Sequence, residues 1–292
     1  MADVKKTVPG KYIDPFTDFG FKRLLGSEPN KDLLIDFLNA VFEGRKKIVD
    51  IVYIKNEYLG ETKSEGAIIL DIACITSYNE IILIEVQRGR PGNFKKRSVF
   101  YSSRIIAEQA PKGRRAEWGY DIKEVYLIAV LEDFTLSMVK DGRYLYNVNL
   151  TDRLSGKVFY EGLEFIFIEL VNFAKVESEL ATDLDKWLYV LKNMSKMDKL
   201  PTFLRKPVFV KLFNLAAYAN LKKEEKTMYN TSLKRRWDNK AVLDYAVREA
   251  AKNERASIAR ELLKEGLSVE FIAKTTGLAT KEIDELKADL NK

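Results

Sequence analysis

The sequence predicts an α/β fold with a helical C-terminal region, and three observations predict it. Short apolar runs rich in Val and Ile alternate with helical periodicity over roughly residues 30–170. From about Ser178 the helical period continues alone. The chain has 292 residues, 46% of them hydrophobic, so a sizeable core can form.

Residues 1–13 read as a loose arm. Asp14 is expected to cap a first helix, with Pro15 at its first position and Gly26 at its end. Asn30 is expected to cap a second, in which Leu33, Leu34, Phe37, Leu38, Val41 and Phe42 share an apolar face. Strands are expected over 48–59, 67–76 and 80–87. The last two are nearly unbroken apolar runs, as in central strands covered on both faces. A helix follows over 93–109, then strands over 125–131 and 163–170. Between these, 132–162 is a β-rich excursion without an assignable pairing.

Farther on, Leu180, Leu184, Trp187, Leu188 and Leu191 share a helical face. Phe209, Leu212, Phe213 and Ala216 resume the period after Pro201 and Pro207. Residues 222–264 carry both charge signs and read as a solvated helix or a linker. In the tail, Gly266 and Gly277 act as stops, and Ser268 and Thr280 as caps. That order is compatible with a helix-turn-helix. The chain therefore divides into a core over 1–175, a helical extension over 176–257 and a small helical tail over 258–292.

Composition removes several chemistries. There is no histidine, which excludes Ser-His-Asp and Cys-His catalysis, histidine-metal nucleases and ordinary zinc sites. Cys74 is the only cysteine, so no intrachain disulfide exists, and its apolar surroundings suit a buried structural thiol. A cytoplasmic location is expected, because the N-terminus lacks an apolar leader and no run is long enough to span a membrane. The net charge of +6 tolerates a polyanionic partner.

Three polar residues interrupt otherwise buried strands: Asp71, Glu85 and Gln87. A carboxylate inside an apolar strand is costly unless it is paired or bound to a metal. Two such carboxylates point to a shared hard cation, with Mg²⁺ the natural choice. Glu85 and Gln87 are two apart and share a strand face. If Ser77-Tyr78-Asn79 form a three-residue loop, Asp71 lies opposite Glu85. A two-residue turn would place Asp71 opposite Val86, facing the wrong way. The odd-length loop is therefore predicted, with Asn79 left-handed.

Asp71, a hairpin and then Glu85-Val86-Gln87 resemble the core motif of the PD-(D/E)XK nuclease superfamily. More residues resemble one branch of it, the Rpn family of recombination-promoting nucleases, also described as transposases. They are Tyr12-Ile13-Asp14-Pro15-Phe16-Thr17-Asp18-Phe19-Gly20-Phe21-Lys22, Gly26-Ser27-Glu28, Asn56-Glu57, and Phe100-Tyr101-Ser102 before Glu108-Gln109. The resemblance covers roughly residues 10–290. It implies a restriction-endonuclease-like core, a mixed sheet flanked by helices, and DNA cleavage with Mg²⁺ or Mn²⁺. Asp71 and Glu85 would be the metal-binding carboxylates. Gln87 would stand where much of the superfamily has Lys, orienting water without supplying a cation. A further acid often completes such sites: Asp18 is the first candidate and Glu57 the second. Asp18 also reads as a first-turn helix acid, and Glu57 as a surface residue at a strand end.

The segment after Gln87 is basic. Arg88, Arg90, Lys95, Lys96, Arg97, Arg104, Lys112, Arg114 and Arg115 face a single acid, Glu108, over 86–116. Arg88, Arg90, Lys95, Lys96, Arg97 and Arg104 are the expected DNA phosphate contacts. Tyr101 reads as a DNA contact or a packing residue. The C-terminal helices read equally as a DNA-contacting module or as packing. A homodimer suits the cutting of two strands. The competing reading is a catalytically silent DNA-binding scaffold on the same fold.

Overall fold

The computed structural model describes residues 10–58, 68–89, 92–111, 118–136 and 142–290. The chain splits into two compact units, Met1–Ser232 and Leu233–Lys292.

The first unit opens with a correction. Helix α1 (Asp18–Leu25) is capped by Thr17, not Asp14. Asp14 is already used in a tight turn, where its Oδ1 accepts the Phe16 N–H at 2.9 Å. The Thr17 hydroxyl donates to the Asp14 carbonyl at 2.9 Å and accepts the Gly20 N–H at 3.0 Å. A Cβ on Gly20 would sit 2.2 Å from the Asp14 carbonyl oxygen, so only glycine fits there. Much of the opening motif is thus a self-capping turn. In helix α2 (Lys31–Phe42) all six expected apolar residues are buried. Asn30 precedes it but donates its amide to the Arg23 carbonyl and Ser27 Oγ instead of capping.

Among the described residues eight strands follow: β1 (Ile51–Tyr53), β2 (Glu57–Tyr58), β3 (Ile68–Ile69), β4 (Ile72–Thr76), β5 (Ile81–Gln87), β6 (Val125–Leu131), β7 (Leu145–Thr151) and β8 (Val158–Glu169). Helix α3 (Phe94–Ala107) connects β5 to β6. The main sheet has six strands in the order β1-β4-β5-β6-β8-β7. Pairs β5–β6 and β6–β8 are parallel and the others antiparallel, so the sheet is mixed. All seven residues of β6 are buried, as a strand covered on both faces requires. The excursion at 132–162 contains β7 and the start of a long β8, and β7 forms the sheet edge.

The strands expected over 48–59 and 67–76 are each broken. Their outer parts, β2 and β3, form a separate two-stranded ladder. At the break the Asn56 carbonyl accepts the Leu70 N–H at 2.8 Å, and the Asn56 amide donates to the Leu70 carbonyl at 3.0 Å. One side chain thereby satisfies backbone that regular pairing would have used.

Helix α3 covers one sheet face, where Phe94 and Ile105 pack with Leu83, Leu127, Phe165 and Phe167. On α2, Phe42 meets Tyr126 edge-on at 5.3 Å. Helices α4 (Asp183–Asn193) and α5 (Pro207–Ala216) bring Trp187 and Phe209 together, with Trp187 also packed on Phe37 of α2. Residues 222–264 resolve as helix rather than linker: α6 (Lys223–Lys264) runs for 42 residues.

The second unit contains the expected tail. Helices α7 (Val269–Thr276) and α8 (Thr280–Leu290) pack through Ile272, Leu278 and Ile283 against Ala259. Gly266 and Gly277 take positive φ at the two turns, and Ser268 caps α7. No described helix is long and apolar enough to cross a membrane.

Candidate active site

The β4–β5 hairpin sets the geometry. Its register pairs Ile72 with Ile84 and Ile75 with Ile81. Continued by one residue, it sets Asp71 opposite Glu85. The loop has three residues, and Asn79 has φ 65°, as predicted. Ile81 and Leu83 pack in the cluster that includes Phe94 and Ile105 of α3. Glu85 and Gln87, of the same parity, therefore face α3.

Asp71 sits at the bend between β3 and β4 rather than inside a continuous strand. Its Oδ2 accepts the Val86 backbone N–H at 2.7 Å. The carboxylate thus takes the place of a ladder partner and is anchored to the middle of the Glu85-Val86-Gln87 tripeptide. Burial raises its pKa, against that hydrogen bond.

Glu85 is 4% exposed. Its Oε2 accepts the Gln87 amide at 3.0 Å and lies 3.8 Å from Arg97 Nη2. Its Oε1 is buried with no hydrogen-bond partner. Burial and the charge of Asp71 push the Glu85 carboxyl up to about 8. A buried acceptor without a donor costs about 1–3 kcal/mol. A cation bound between Asp71 and Glu85 would relieve both the orphaned oxygen and the mutual repulsion. The residues present therefore fit a hard divalent ion. Among the described residues no group of three His, Cys, Asp or Glu is placed to hold a metal. The ion would then draw its remaining ligands from water and substrate oxygens, as Mg²⁺ commonly does.

A family model for the PD-(D/E)XK nuclease family transposases matches residues 15–246. The chain belongs to this family. Membership gives this PD-(D/E)XK chain a nuclease role, and the mixed sheet with its flanking helices is the core such a nuclease has. Comparison with curated proteins and with solved structures gave no match.

The other expected site residues of this PD-(D/E)XK nuclease are placed unevenly. Asp18 lies close enough for its charge to act on Asp71, but it is exposed and paired with Lys22 at 2.6 Å. Glu57 is exposed on β2, paired opposite Ile69. Arg88 is held by Glu132 and Asp133 at 3.6 and 3.5 Å. Lys95 and Lys96 are exposed on α3, and Arg104 pairs with Glu108 at 3.3 Å. Arg90, Lys112, Arg114 and Arg115 lie outside the described residues. Tyr101 packs against the sheet cluster. Gln109 holds the backbone of Lys123 through both its amide atoms, just before β6. Cys74 is fully buried and its thiol is pushed up to about 12, which suits a structural residue.

The place of Arg97 was not legible among four basic residues on one helix. Its guanidinium lies over the rings of Phe94 and Tyr101, beside Glu85. A signal existed: Phe94, Arg97 and Tyr101 are spaced three and four apart, on one helical face.

Proposed function

We propose that the chain is a metal-dependent DNA endonuclease of recombination or transposition, acting in the cytoplasm. The observation that carries this reading is the pair of opposed acids, Asp71 half-buried and Glu85 buried, the latter with an orphaned oxygen and a carboxyl raised to about 8. Asp71 and Glu85 would hold one Mg²⁺ or Mn²⁺. When bound, such an ion acts as a Lewis acid toward phosphate and makes a bound water more acidic.

The chain's own residues supply the positioning. The Val86 N–H fixes the Asp71 carboxylate. The Gln87 amide N–H is engaged by Glu85, leaving its carbonyl to accept from the attacking water. Hydrolysis adds the water oxygen to phosphorus and breaks one ester P–O bond. Exposed Lys95 and Lys96 are suited to hold flanking phosphates. Asp18, near Asp71, would support the pair once its tie to Lys22 loosens. A homodimer would place one such centre on each strand.

The competing reading, a silent DNA-binding scaffold, is favoured by one observation: among the described residues no third acid joins the pair. Plasmid cleavage in Mg²⁺ and in Mn²⁺ separates the two. Wild type is expected to nick or linearise the plasmid, and Asp71→Ala and Glu85→Ala to lose at least about 10³-fold in rate. Tight DNA binding without cleavage by wild type would establish the scaffold instead.

A further inference from the structure

Gln87 leaves the centre without a positive side chain on the sheet. Two acids and a neutral amide can hold a cation and orient water. They cannot balance the charge that builds on the phosphoryl oxygens at the transition state. The structure sets one cation beside the pair from the helix, Arg97 of α3, near Glu85.

Arg97 is set apart from the other expected DNA contacts by three features. Its guanidinium is stacked over two rings, 5.0 Å from the Phe94 centroid and 5.7 Å from that of Tyr101. Such stacking fixes the plane and direction of its donor fork. Its Nη2 is 3.8 Å from Glu85 Oε2, too far for a hydrogen bond, so the pair is charge-balanced without using the donors. Both Nε and Nη2 are buried and donate to nothing. A guanidinium with two desolvated donors costs stability unless a ligand accepts them. A phosphate has matching geometry, since like a carboxylate it takes two parallel N–H bonds from arginine, and it is the anion a nuclease brings to this place. Arg88 also has a buried Nη1 without a partner, but it lies between Glu132 and Asp133 and stacks on no described ring, and Arg104 pairs with Glu108, so Arg97 alone of the three is set beside Glu85.

We infer that Arg97 is a catalytic residue of this nuclease, donating to the scissile phosphate and supplying the positive charge that Gln87 lacks. The inference rests on the nuclease reading above. Asp71 and Glu85 would hold the divalent ion, whose charge would balance Glu85 in place of Arg97 and leave the guanidinium donors for substrate. Tyr101 and Phe94 are its positioning residues.

The test uses the full chain and a short fluorescent DNA duplex, with Arg97→Met, Arg97→Lys and the double variant Gln87→Lys/Arg97→Met. Arg97→Met keeps the aliphatic stem over the rings and should melt within a few degrees of wild type. It is expected to lower the single-turnover rate at saturating DNA about 10²–10³-fold. DNA affinity should change by less than about tenfold, and Mn²⁺ affinity measured by calorimetry without DNA should not fall. Moving the charge back to the sheet in the double variant should recover at least about tenfold of the lost rate. Arg97→Lys, which keeps charge but not the fork, should be intermediate and serves as the readout if Arg97→Met does not fold.

Wild-type rates in Arg97→Met would overturn the inference. So would a loss confined to DNA affinity, which marks a phosphate anchor, or a Mn²⁺ affinity that falls in step with rate. If wild type cleaves, Asp71→Ala is dead and Arg97→Met is fully active, only the role of Arg97 falls. If wild type itself does not cleave, the nuclease reading falls and this inference with it.

Discussion

Asp185 and Glu85 are both buried carboxylates, and the chain treats them oppositely. Asp185, on α4, is fully buried. Its Oδ1 accepts from Lys175 at 2.7 Å and from the Tyr144 hydroxyl at 2.8 Å. Its Oδ2 accepts the Ala181 and Thr182 N–H groups, each at 3.0 Å. Burial alone would raise its pKa, but Lys175, the backbone donors and Tyr144 outweigh it and hold it at about 2. Glu85 has the Gln87 amide, a distant guanidinium, the nearby Asp71 backbone N–H and one oxygen without a hydrogen bond; burial and the Asp71 charge outweigh these and raise it to about 8. A carboxylate that serves the fold is saturated with donors. One kept for a ligand is left short of them, and the protein carries the cost until the ligand arrives.

The contrast can be broken most decisively at Asp185. Asp185→Ala strands Lys175 and two backbone donors and should destabilise the chain by about 3–5 kcal/mol in urea titrations. A loss below about 1 kcal/mol would mean the saturated network contributes nothing special. Its stabilisation should also persist above the ordinary aspartate range and fade only as pH falls toward 2, because its folded pKa is depressed.

Glu85 should behave with the opposite sign. Its folded pKa of about 8 lies above an unfolded value near 4.5, so the folded state holds the extra proton between those pH values. Stability of the metal-free chain should therefore fall as pH rises through that window. Glu85→Gln removes the dependence. It should be more stable than wild type by a few kcal/mol at pH 8, at about 1.4 kcal/mol per pKa unit, and by almost nothing near pH 4.5. A Glu85→Gln variant less stable than wild type across the whole range would refute the unsatisfied-carboxylate account. Saturating Mn²⁺ sharpens the comparison by narrowing the gap at pH 8: wild type should gain about 2.7 kcal/mol at a hundredfold excess over Kd, and the variant nothing.

The smallest effect expected is at the cap that supports Asp185. Thr182 accepts the Asp185 N–H at 3.0 Å, and Thr182→Ala should cost about 1 kcal/mol by thermal melting. No change in Tm would show that the network holds the helix end without its cap.

Some of this was readable from residue order alone. The hairpin register, the three-residue loop and the left-handed Asn79 follow from alternation and from acids placed in apolar runs. The break between β3 and β4 did not follow, because 67–76 is apolar apart from Asp71 and Thr76 and the Asn56 side chain that permits the break lies fourteen residues before Leu70. Asp14 reads as a cap by type, but Thr17 reaches the helix N–H first. Arg88 looked free because its partners, Glu132 and Asp133, lie more than forty residues on. The pairing of β7 with β8 contains register shifts near Leu150, which blur any simple alternation. Local chemistry was legible, and long-range compensation was not.

The exposed tip at Ser77-Tyr78-Asn79 carries a consequence for how homologous chains can vary in length. Surface loop tips normally accept insertions freely. Here the pairing of β5 with β4 and β6 holds the register, so an added residue at the tip lengthens the loop and leaves both acids facing α3. An added residue between Ile81 and Glu85 would instead turn Val86 inward and send Glu85 and Gln87 to the far layer, so lengthening should be tolerated at the tip and not within β5.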